Sequence, residues 1–499
     1  MRRAGGWAAG AAVGVGVVLR ALCFFHYRLD SDEPQHLHVA WQWTQGLLQY
    51  RDFFDNHAPL FHMTMAPILA LVGERADAPI WMRAPMLVFF AVVVGVTYIL
   101  GRKLWSHDVG LWAAITLALF PPFFLKSLEF RTDNLWNALW MIALLLIVSG
   151  RWRLAAGVIL GLALCVSMKT ILLIVTLGAA ALLTRGIRMN PIGIPIAPAI
   201  LAWYFHIKGA WPQLVYCVFT FNTRGTTPSP FRFVYPIAIA AMVWIAWRYR
   251  ERFDKEKFFL AVAAAIFVIT LVCFWTLISP RDYLPVMPIA ALFLVAKLPR
   301  AATIGLCAIF IGTICYYAKP LVNQTDEHIT MLNQVLGMTR TGEPLMDYKG
   351  ETIFRRRPFY FIFEKIGREQ VRSGAIQDTI PESIIATRCH AAQADGPFWP
   401  PRGREFMVKN FLDMGRIRAS GQWIGDDGNF TIAVPGEYIV VDANGIASGT
   451  LDASPQTAAR TLEQGSHHFE RAHDGPLAVM WAPAFRRGYS PFHLRDREF

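Results

Sequence analysis

Long apolar runs dominate this chain, and they limit what it can fold into. Of 499 residues, 54% are hydrophobic and only 17% are charged, whereas about a quarter of a soluble chain is charged. A membrane-spanning helix needs about 20 apolar residues. The runs that approach this length are 7–25, 79–101, 109–125, 134–150, 154–168, 170–184, 191–207, 232–248, 258–278, 283–297 and 301–318. The pattern predicts an α-helical polytopic membrane protein with about eleven transmembrane helices.

The basic residues lie in short clusters between these runs, although the net charge is +12. The clusters are at Arg2-Arg3, 102–103, 151–153, 185–188, 248–257 and 297–300. If each run crosses the membrane once, all of them fall on one side, as the positive-inside rule requires. We therefore expect an integral membrane protein with a cytoplasmic N-terminus, which in a bacterium would lie in the inner membrane. A nucleic-acid partner is not expected, because the charge forms no single patch.

Two further apolar pieces lie in the first predicted outer loop, 26–78. Residues 33–49 have apolar residues at helical spacing, which predicts an amphipathic interfacial helix. Residues 58–73 are short for a span and predict a second interfacial or re-entrant element. As one helix, 154–184 would be about 45 Å long, so we expect two helices with Lys169 at the outer turn.

The composition changes after residue 318, where long apolar runs stop and charge increases. Residues 319–410 read as mixed α/β. Residues 415–485 contain strand-like pieces separated by Gly, Asp and Asn turns, which predicts a small β-sandwich. The sequence thus predicts a transmembrane catalytic domain, 1–318, and an extracytoplasmic, periplasmic C-terminal domain, 319–499.

Four polar groups project to the predicted outer face. The first contains Asp30, Asp32, Glu33, His36 and His38. A carboxylate here could be a general base that takes a proton from an acceptor hydroxyl or amine. Alternatively, Asp32 caps a helix that has Glu33-Pro34 in its first turn.

The second and third groups also allow two interpretations. Residues 50–60, including His57, interleave aromatic and charged residues, which suits an interface loop or a sugar or headgroup site. Lys126, Glu129, Arg131 and Asp133 lie between two apolar runs. Glu129 and Asp133 share one face if the segment is helical. The same group could be a boundary cluster whose lysine and arginine extend toward water.

The fourth group combines Lys169 with Ser279-Pro280-Arg281-Asp282-Tyr283. These cations could be membrane anchors, or together they could bind a lipid phosphate. His36, His38 and Asp32 could hold a metal ion, but the signal is weak. No glycine-rich nucleotide loop and no HExxH motif occurs in the sequence.

At these residues the chain resembles the lipid-carrier-dependent GT-C glycosyltransferases. The relevant branch contains protein O-mannosyltransferases, the lipid A aminoarabinose transferase and rhizobial galacturonosyltransferases. The resemblance covers residues 7–300. It is carried by Asp32-Glu33, by residues 50–60, by Arg131-Thr132-Asp133, by Ser167-Met168-Lys169 and by Pro280–Pro285. Asp282 is inserted where the family often has Arg directly before Tyr.

The resemblance implies inverting transfer of a sugar from a polyprenyl-phosphate donor on the extracytoplasmic face. It implies that Asp32 is the general base and that Glu33 and Asp133 orient the acceptor or Asp32. Lys169 and Arg281 would hold the phosphate. His57, Lys126, Glu129, Arg131 and Tyr283 complete the predicted substrate-binding set. No cofactor and no metal are expected, although other GT-C enzymes use a divalent metal.

The acceptor stays open among a glycolipid, a polysaccharide and a protein. Two other functions also remain open. A transporter or flippase would favour acids in mid-membrane and two related halves, whereas these acids cluster at one face. A non-catalytic envelope protein that binds polysaccharide is the other alternative, because of the β-rich region.

Overall fold

The computed structural model describes residues 2–184, 187, 189–224, 229–249, 251–252, 254–275, 278–393, 396 and 398–493, and for residues 2–5 only the backbone. The basic loop predicted at Arg185 and Arg188 lies outside the described residues. The chain divides into two units. The first contains 1–36, 56–68 and 79–325; the second contains 37–55, 69–78 and 326–499.

Apolar helices form most of the chain up to residue 318. They are α1 Arg2–His26, α2 Glu33–Thr44, α3 Leu60–Val72, α4 Ala78–Trp81, α5 Ala84–Leu104, α6 His107–Leu119, α7 Pro121–Lys126, α8 Thr132–Ser149, α9 Arg153–Val166, α10 Thr170–Thr184, α11 Ile196–Ile207, α12 Trp211–Val215, α13 Phe221–Thr223, α14 Tyr235–Tyr249, α15 Lys255–Phe274, α16 Met287–Lys297 and α17 Arg300–Ala318. Short 3₁₀ turns at Pro191–Gly193, Pro230–Phe233 and Pro280–Tyr283 and a π-helical turn at Tyr216–Thr220 connect them.

Five of the described helices are long and apolar enough to cross a membrane, namely Gly6–His26, Ala78–Leu104, Thr132–Ser149, Lys255–Phe274 and Arg300–Ala318. The other predicted runs coincide with shorter apolar helices, and the count of eleven spans stays a prediction. The break predicted in 154–184 is confirmed, because α9 ends at Val166 and α10 begins at Thr170.

Local sequence explains several helix boundaries and contacts. Ser106 caps α6 by accepting from the backbone N–H of Val109. Gly150 ends α8 in the left-handed conformation that glycine adopts without strain. Helices α5 and α6 touch at Gly101 and Gly110, where a Cβ on Gly101 would lie 2.5 Å from the Cα of Gly110. These two glycines therefore permit the close packing of the pair.

The first outer loop differs from its predicted form. Helix α2 ends at Thr44, and its residues from Glu33 to Gln42 are all buried, so it does not present an exposed polar face. The loop is also divided, because 37–55 and 69–78 belong to the second unit. The sequence placed all of 26–78 with the transmembrane domain. The predicted boundary at 318/319 stays a prediction.

The second unit joins helices to β-structure. Its later helices are α18 Asp326–Met338, α19 Lys365–Arg372, α20 Ile380–Ala386, α21 Pro401–Asn410 and α22 Ala482–Arg486. Its strands are β1 Leu345–Met346, β2 Ala391–Ala392, β3 Phe411–Asp413, β4 Arg418–Ile424, β5 Asn429–Ile432, β6 Gly436–Asp442, β7 Gly445–Ile446, β8 Gly449–Leu451, β9 Ser454–Pro455, β10 Arg460–Leu462, β11 Gly465–Arg471 and β12 Leu477–Trp481.

These strands form two sheets, so the β-rich region predicted at 415–485 is confirmed. The larger sheet has the order β1-β2-β4-β12-β6-β10, with β3 on β4 and β7 on β6. The smaller has the order β5-β11-β8-β9. Val440 pairs with Val479 in the larger sheet. Both belong to a buried apolar cluster that also contains Phe430 and Phe469 of the smaller sheet.

Candidate functional site

Charged side chains from four connections between apolar helices meet in the first unit. We call them the charged cluster: Asp30, Asp32, Lys126, Glu129, Arg131, Asp133, Lys169, Arg281 and Asp282. They come from the α1–α2 link, the α7–α8 turn with the start of α8, the α9–α10 turn and the 3₁₀ turn before α16. The sequence placed these segments on one face, and the structure brings them into direct contact.

Asp32 is the most accessible carboxylate of the charged cluster. Its side chain is 28% exposed, whereas those of the other four carboxylates are at most 9% exposed. Arg131 Nη1 forms a short ion pair with Asp32 Oδ2. Arg281 Nη1 donates to the same oxygen at 3.2 Å. Asp32 is thus held in place by two guanidinium groups and still reaches solvent.

Asp30 lies behind Asp32. Its Oδ1 accepts from Arg131 Nη1 at 2.9 Å and from the backbone N–H of Asp32 at 3.2 Å. Burial raises the pKa of Asp30, but the charges of Arg131 and Arg281 outweigh burial and hold that pKa below its usual value. Asp30 therefore stays ionised and anchors both arginines.

Arg131 joins the two acidic segments. It contacts Asp30 and Asp32, and its Nε donates to Asp133 Oδ2 at 3.3 Å. Burial lowers the pKa of Arg131, and the charges of Asp32, Asp133 and Asp30 more than compensate and raise it. This guanidinium therefore keeps its positive charge and contacts three carboxylates.

Glu129 is fully buried between two cations. Lys126 Nζ donates to Glu129 Oε1 at 2.5 Å, and Arg281 Nε lies 3.9 Å from Oε2. Burial, together with the charge of Asp30, raises the pKa of Glu129 to about 7, although Lys126 and Arg131 oppose the rise. Glu129 lies in the turn before α8, so the condition under which it would share a helix face with Asp133 is not met.

Lys169 lies between two carboxylates. Its Nζ is 3.1 Å from Asp133 Oδ1 and 2.5 Å from Asp282 Oδ1. Burial lowers the pKa of Lys169, but the two carboxylates outweigh burial and raise it. Its predicted role, to hold a phosphate, stays a prediction.

Unlike Asp32, Glu33 is buried in the protein. Glu33 and Arg83 both have fully buried side chains, with Arg83 Nη2 3.3 Å from Glu33 Oε1. The Glu33 oxygens also accept from the backbone N–H groups of Asp30 and Phe130, each at 2.8 Å. Glu33 therefore links the two acidic loops, which suits orientation of Asp32 rather than contact with an acceptor.

Arg83 was missed by the sequence interpretation. Besides Glu33, it donates to the carbonyls of Tyr27 and Arg28, each at 2.9 Å, at the end of α1. The available signal was one arginine inside the predicted span 79–101, because a charge inside an apolar segment is costly unless it is paired.

His57 belongs to a group of three histidines beside the charged cluster. Its ring centroid is 4.7 Å from that of His36, and His36 Nδ1 is 3.0 Å from His62 Nε2. Burial, followed by His57, His62 and Arg131, lowers the pKa of His36 well below its usual value. His36 is therefore neutral.

Tyr283 lines an apolar cavity of about 940 Å³ that begins at the 3₁₀ turn carrying Arg281. The cavity continues between α6, α16 and α17, where Leu117, Val286 and Phe310 line it. One end of an apolar space thus meets the turn that carries a cation of the charged cluster.

Among the described residues, no three His, Cys, Asp or Glu side chains are arranged to hold a metal ion. Both ring nitrogens of His38 have partners, because Nδ1 faces the carbonyl of Ile353 and Nε2 faces Gln42. The prediction that the protein needs no metal stays a prediction.

One family model matches part of the chain. Residues 56–211 match the family model described as dolichyl-phosphate-mannose-protein mannosyltransferase. No curated protein matched the chain.

Among solved structures, ArnT from Cupriavidus metallidurans bound to undecaprenyl phosphate matches with a TM-score of 0.59 and 12% identity, over 83% of this chain and 98% of ArnT. The apo structure of the same protein matches with a TM-score of 0.58 and 12% identity, over 84% of this chain and 98% of ArnT. An oligosaccharyltransferase from Archaeoglobus fulgidus, in complex with Zn and sulfate, matches with a TM-score of only 0.44 and 11% identity. The match covers 80% of this chain and 71% of that protein. The ArnT matches show that this chain has the same fold, and the chain is an integral membrane protein.

Proposed function

We propose that the chain is a membrane glycosyltransferase of the GT-C superfamily, and that it transfers a sugar from a polyprenyl-phosphate donor to an acceptor outside the cytoplasm. The observation that carries this proposal is the setting of Asp32, an accessible carboxylate held by Arg131 and Arg281. A base and two cations within contact distance are what this transfer requires.

In the proposed reaction Asp32 takes the proton from an acceptor hydroxyl or amine. The acceptor atom attacks the anomeric carbon and forms the new bond, while the bond from that carbon to the phosphate oxygen breaks. The electron pair stays on the phosphate, whose charge becomes more negative by one. Attack from the face opposite the phosphate inverts the anomeric centre.

Arg281 is the cation best placed for the leaving phosphate. It lies in the turn whose Pro280 and Tyr283 line the 940 Å³ apolar cavity, so a lipid chain in that cavity would place its phosphate near this turn. An arginine offers paired donors to phosphate oxygens. Its charge stabilises the developing phosphate charge more strongly as the bond breaks.

Polyprenyl phosphate as the lipid carrier is supported by the fold shared with ArnT, which was solved with undecaprenyl phosphate. The apolar cavity beside Arg281 supports it independently. A glycolipid, a polysaccharide and a protein remain the acceptor classes to test. No metal is assigned to the reaction in this proposal.

The test is sugar transfer from a radiolabelled polyprenyl-phosphate donor by the purified full-length protein in detergent. Asp32→Asn keeps the size of the side chain and removes the base, so we expect transfer to fall by about 10³-fold or more. The control is Asp108→Asn, at an exposed carboxylate on α6, which should transfer at the wild-type rate.

Turnover by a folded Asp32→Asn protein within tenfold of wild type would exclude Asp32 as the base. If the wild type binds the lipid but releases no sugar to any acceptor class, a transporter or a non-catalytic binding protein becomes the better interpretation. Folding is checked by gel filtration and by the unfolding temperature.

A further inference from the structure

The ammonium group of Lys169 is enclosed by two carboxylates and two indole rings. Asp133 and Asp282 approach Nζ at 3.1 and 2.5 Å. The ring centroids of Trp136 and Trp275 lie 5.6 and 5.9 Å from the same atom. One positive charge therefore faces two negative charges in a setting that is only 20% exposed.

Asp282 uses its two oxygens for different purposes. Oδ2 accepts from the backbone N–H of Ser279 at 2.7 Å and from Ser279 Oγ at 3.1 Å, which closes the 3₁₀ turn that carries Arg281. Oδ1 faces Lys169. The carboxylate is 1% exposed, so its charge is compensated chiefly by the lysine.

A carboxylate and a phosphate are the same kind of partner for an ammonium group, because both offer anionic oxygen acceptors. Asp282 adjoins Arg281 in the same turn and contacts Lys169. A lipid phosphate that binds at Arg281 must therefore compete with Asp282 for Lys169. Competition of this kind lowers affinity without removing any cation from the site.

We propose that Asp282 sets the affinity of this site for polyprenyl phosphate by competing with the lipid phosphate for Lys169. The inference rests on the proposed function, because it takes a lipid phosphate as the ligand. Polyprenyl phosphate is the product of the transfer and carries one more negative charge than the donor. A resident carboxylate on Lys169 therefore favours its release. Asp282 is a positioning residue in this role, since it acts through Lys169.

The test measures binding of undecaprenyl phosphate to the full-length protein in detergent, by isothermal titration calorimetry. Asp282→Asn keeps an oxygen that can accept from Ser279 but removes the charge opposite Lys169. We expect the dissociation constant to fall by about tenfold, the usual worth of one charge-assisted contact. In transfer assays the same variant should show a lower KM for the donor and a lower kcat, because the product leaves more slowly.

Ser279→Ala is the matched control. It removes the hydroxyl that donates to Asp282 Oδ2 and leaves the charge on Lys169 unchanged. Its affinity for undecaprenyl phosphate should stay within twofold of wild type. If Ser279→Ala raises the affinity as much as Asp282→Asn does, the geometry of the turn is responsible and the proposal is wrong.

A second comparison tests the route through Lys169. In a Lys169→Gln background, the fold gain in affinity from Asp282→Asn should be at most about one third of the fold gain in the wild type. An equal gain in both backgrounds would overturn the proposal. If Asp282→Asn does not fold, Asp282→Ser replaces it, because the serine hydroxyl can also accept from Ser279.

The outcomes separate this inference from the proposed function. If the wild type and every variant fail to bind undecaprenyl phosphate, the proposed lipid donor is wrong. If the wild type binds it and Asp282→Asn binds it equally or more weakly, only the role of Asp282 is overturned.

Discussion

Arg281 and Asp32 are 249 residues apart in the chain, yet Arg281 Nη1 lies 3.2 Å from Asp32 Oδ2. The contact joins the link after the first apolar helix to the turn before α16. The same guanidinium reaches Asp30 Oδ2 at 3.5 Å through Nη2. The planar guanidinium group of Arg281 therefore holds two carboxylates at once, one through each terminal nitrogen.

Arg281→Lys should impair the transfer although it keeps the positive charge. A lysine has one nitrogen at its end and cannot contact Asp30, Asp32 and a phosphate in the geometry that the guanidinium provides. We expect kcat/KM for the polyprenyl-phosphate donor to fall by at least about 30-fold, or about 2 kcal/mol. Steady-state transfer kinetics measure it.

The control for this prediction is Arg151→Lys, at an exposed arginine, which should leave kcat/KM unchanged. Wild-type kinetics in Arg281→Lys would show that charge alone is sufficient at this position.

Glu33→Gln and Arg83→Met should each destabilise the protein strongly. Each variant leaves one fully buried charge without its ion-pair partner, at a cost of about 3–5 kcal/mol. The double variant should be more stable than the sum of the two changes predicts, because neither charge then remains. Thermal unfolding of the purified protein in detergent measures all three. Single variants that unfold at the wild-type temperature would contradict the prediction.

Glu129 should make stability depend on pH. Burial raises its pKa to about 7 in the folded protein from an ordinary value of 4.5. Between these two values the folded state retains a proton that the unfolded state has released. Stability should therefore fall as the pH rises from about 4.5 to 7, by on the order of 3 kcal/mol, and then level off.

Glu129→Gln cannot ionise, so its unfolding temperature should change less than that of the wild type over this pH range. The comparison is made by thermal unfolding at several pH values. Glu463→Gln, at an exposed carboxylate, is the control and should follow the wild type. A wild-type pH profile in Glu129→Gln would mean that another group titrates in this range.

Phe469→Ala should weaken the β-sandwich of the second unit. Phe469 is 1% exposed within the buried apolar cluster between the two sheets, and loss of a buried phenyl ring costs about 3–5 kcal/mol. Hydrogen exchange of the backbone amides in β6, β11 and β12 should accelerate. Ile446→Ala removes a side chain that is 48% exposed. It should change the free energy of opening measured by exchange by less than about 0.5 kcal/mol. Unchanged exchange in Phe469→Ala would show that the cluster does not support the sandwich.

The apolar runs and turn residues were sufficient to predict most of the architecture. Apolar runs of this length favour helices in a membrane, and the helices occur where the runs are. The break at Lys169 followed from the excessive length of a single helix. The strand pattern after residue 415 followed from alternation between turn residues. These features depend on local sequence, so they could be read from it.

The partners of each charged residue could not be read in the same way. The sequence placed Asp32, Arg131, Lys169 and Arg281 on one face, but not which carboxylate would accept from which cation. It did not show that Lys169 lies between Asp133 and Asp282. It also missed Arg83, whose partner Glu33 is 50 residues away. Contacts between distant segments depend on how helices pack, and a single sequence does not encode them in any local pattern.

By itself, the sequence determined that the chain is a helical membrane protein whose acids and cations gather at one end of its helices, because hydrophobic length and charge spacing act locally. The tertiary structure decided which carboxylate is left open to solvent. Asp32 reaches solvent because Arg131 and Arg281 hold it from one side, while Glu33 is fully buried against Arg83. That distinction between adjacent residues arises only when helices from distant parts of the chain pack together, since burial and ion pairing are properties of the folded assembly.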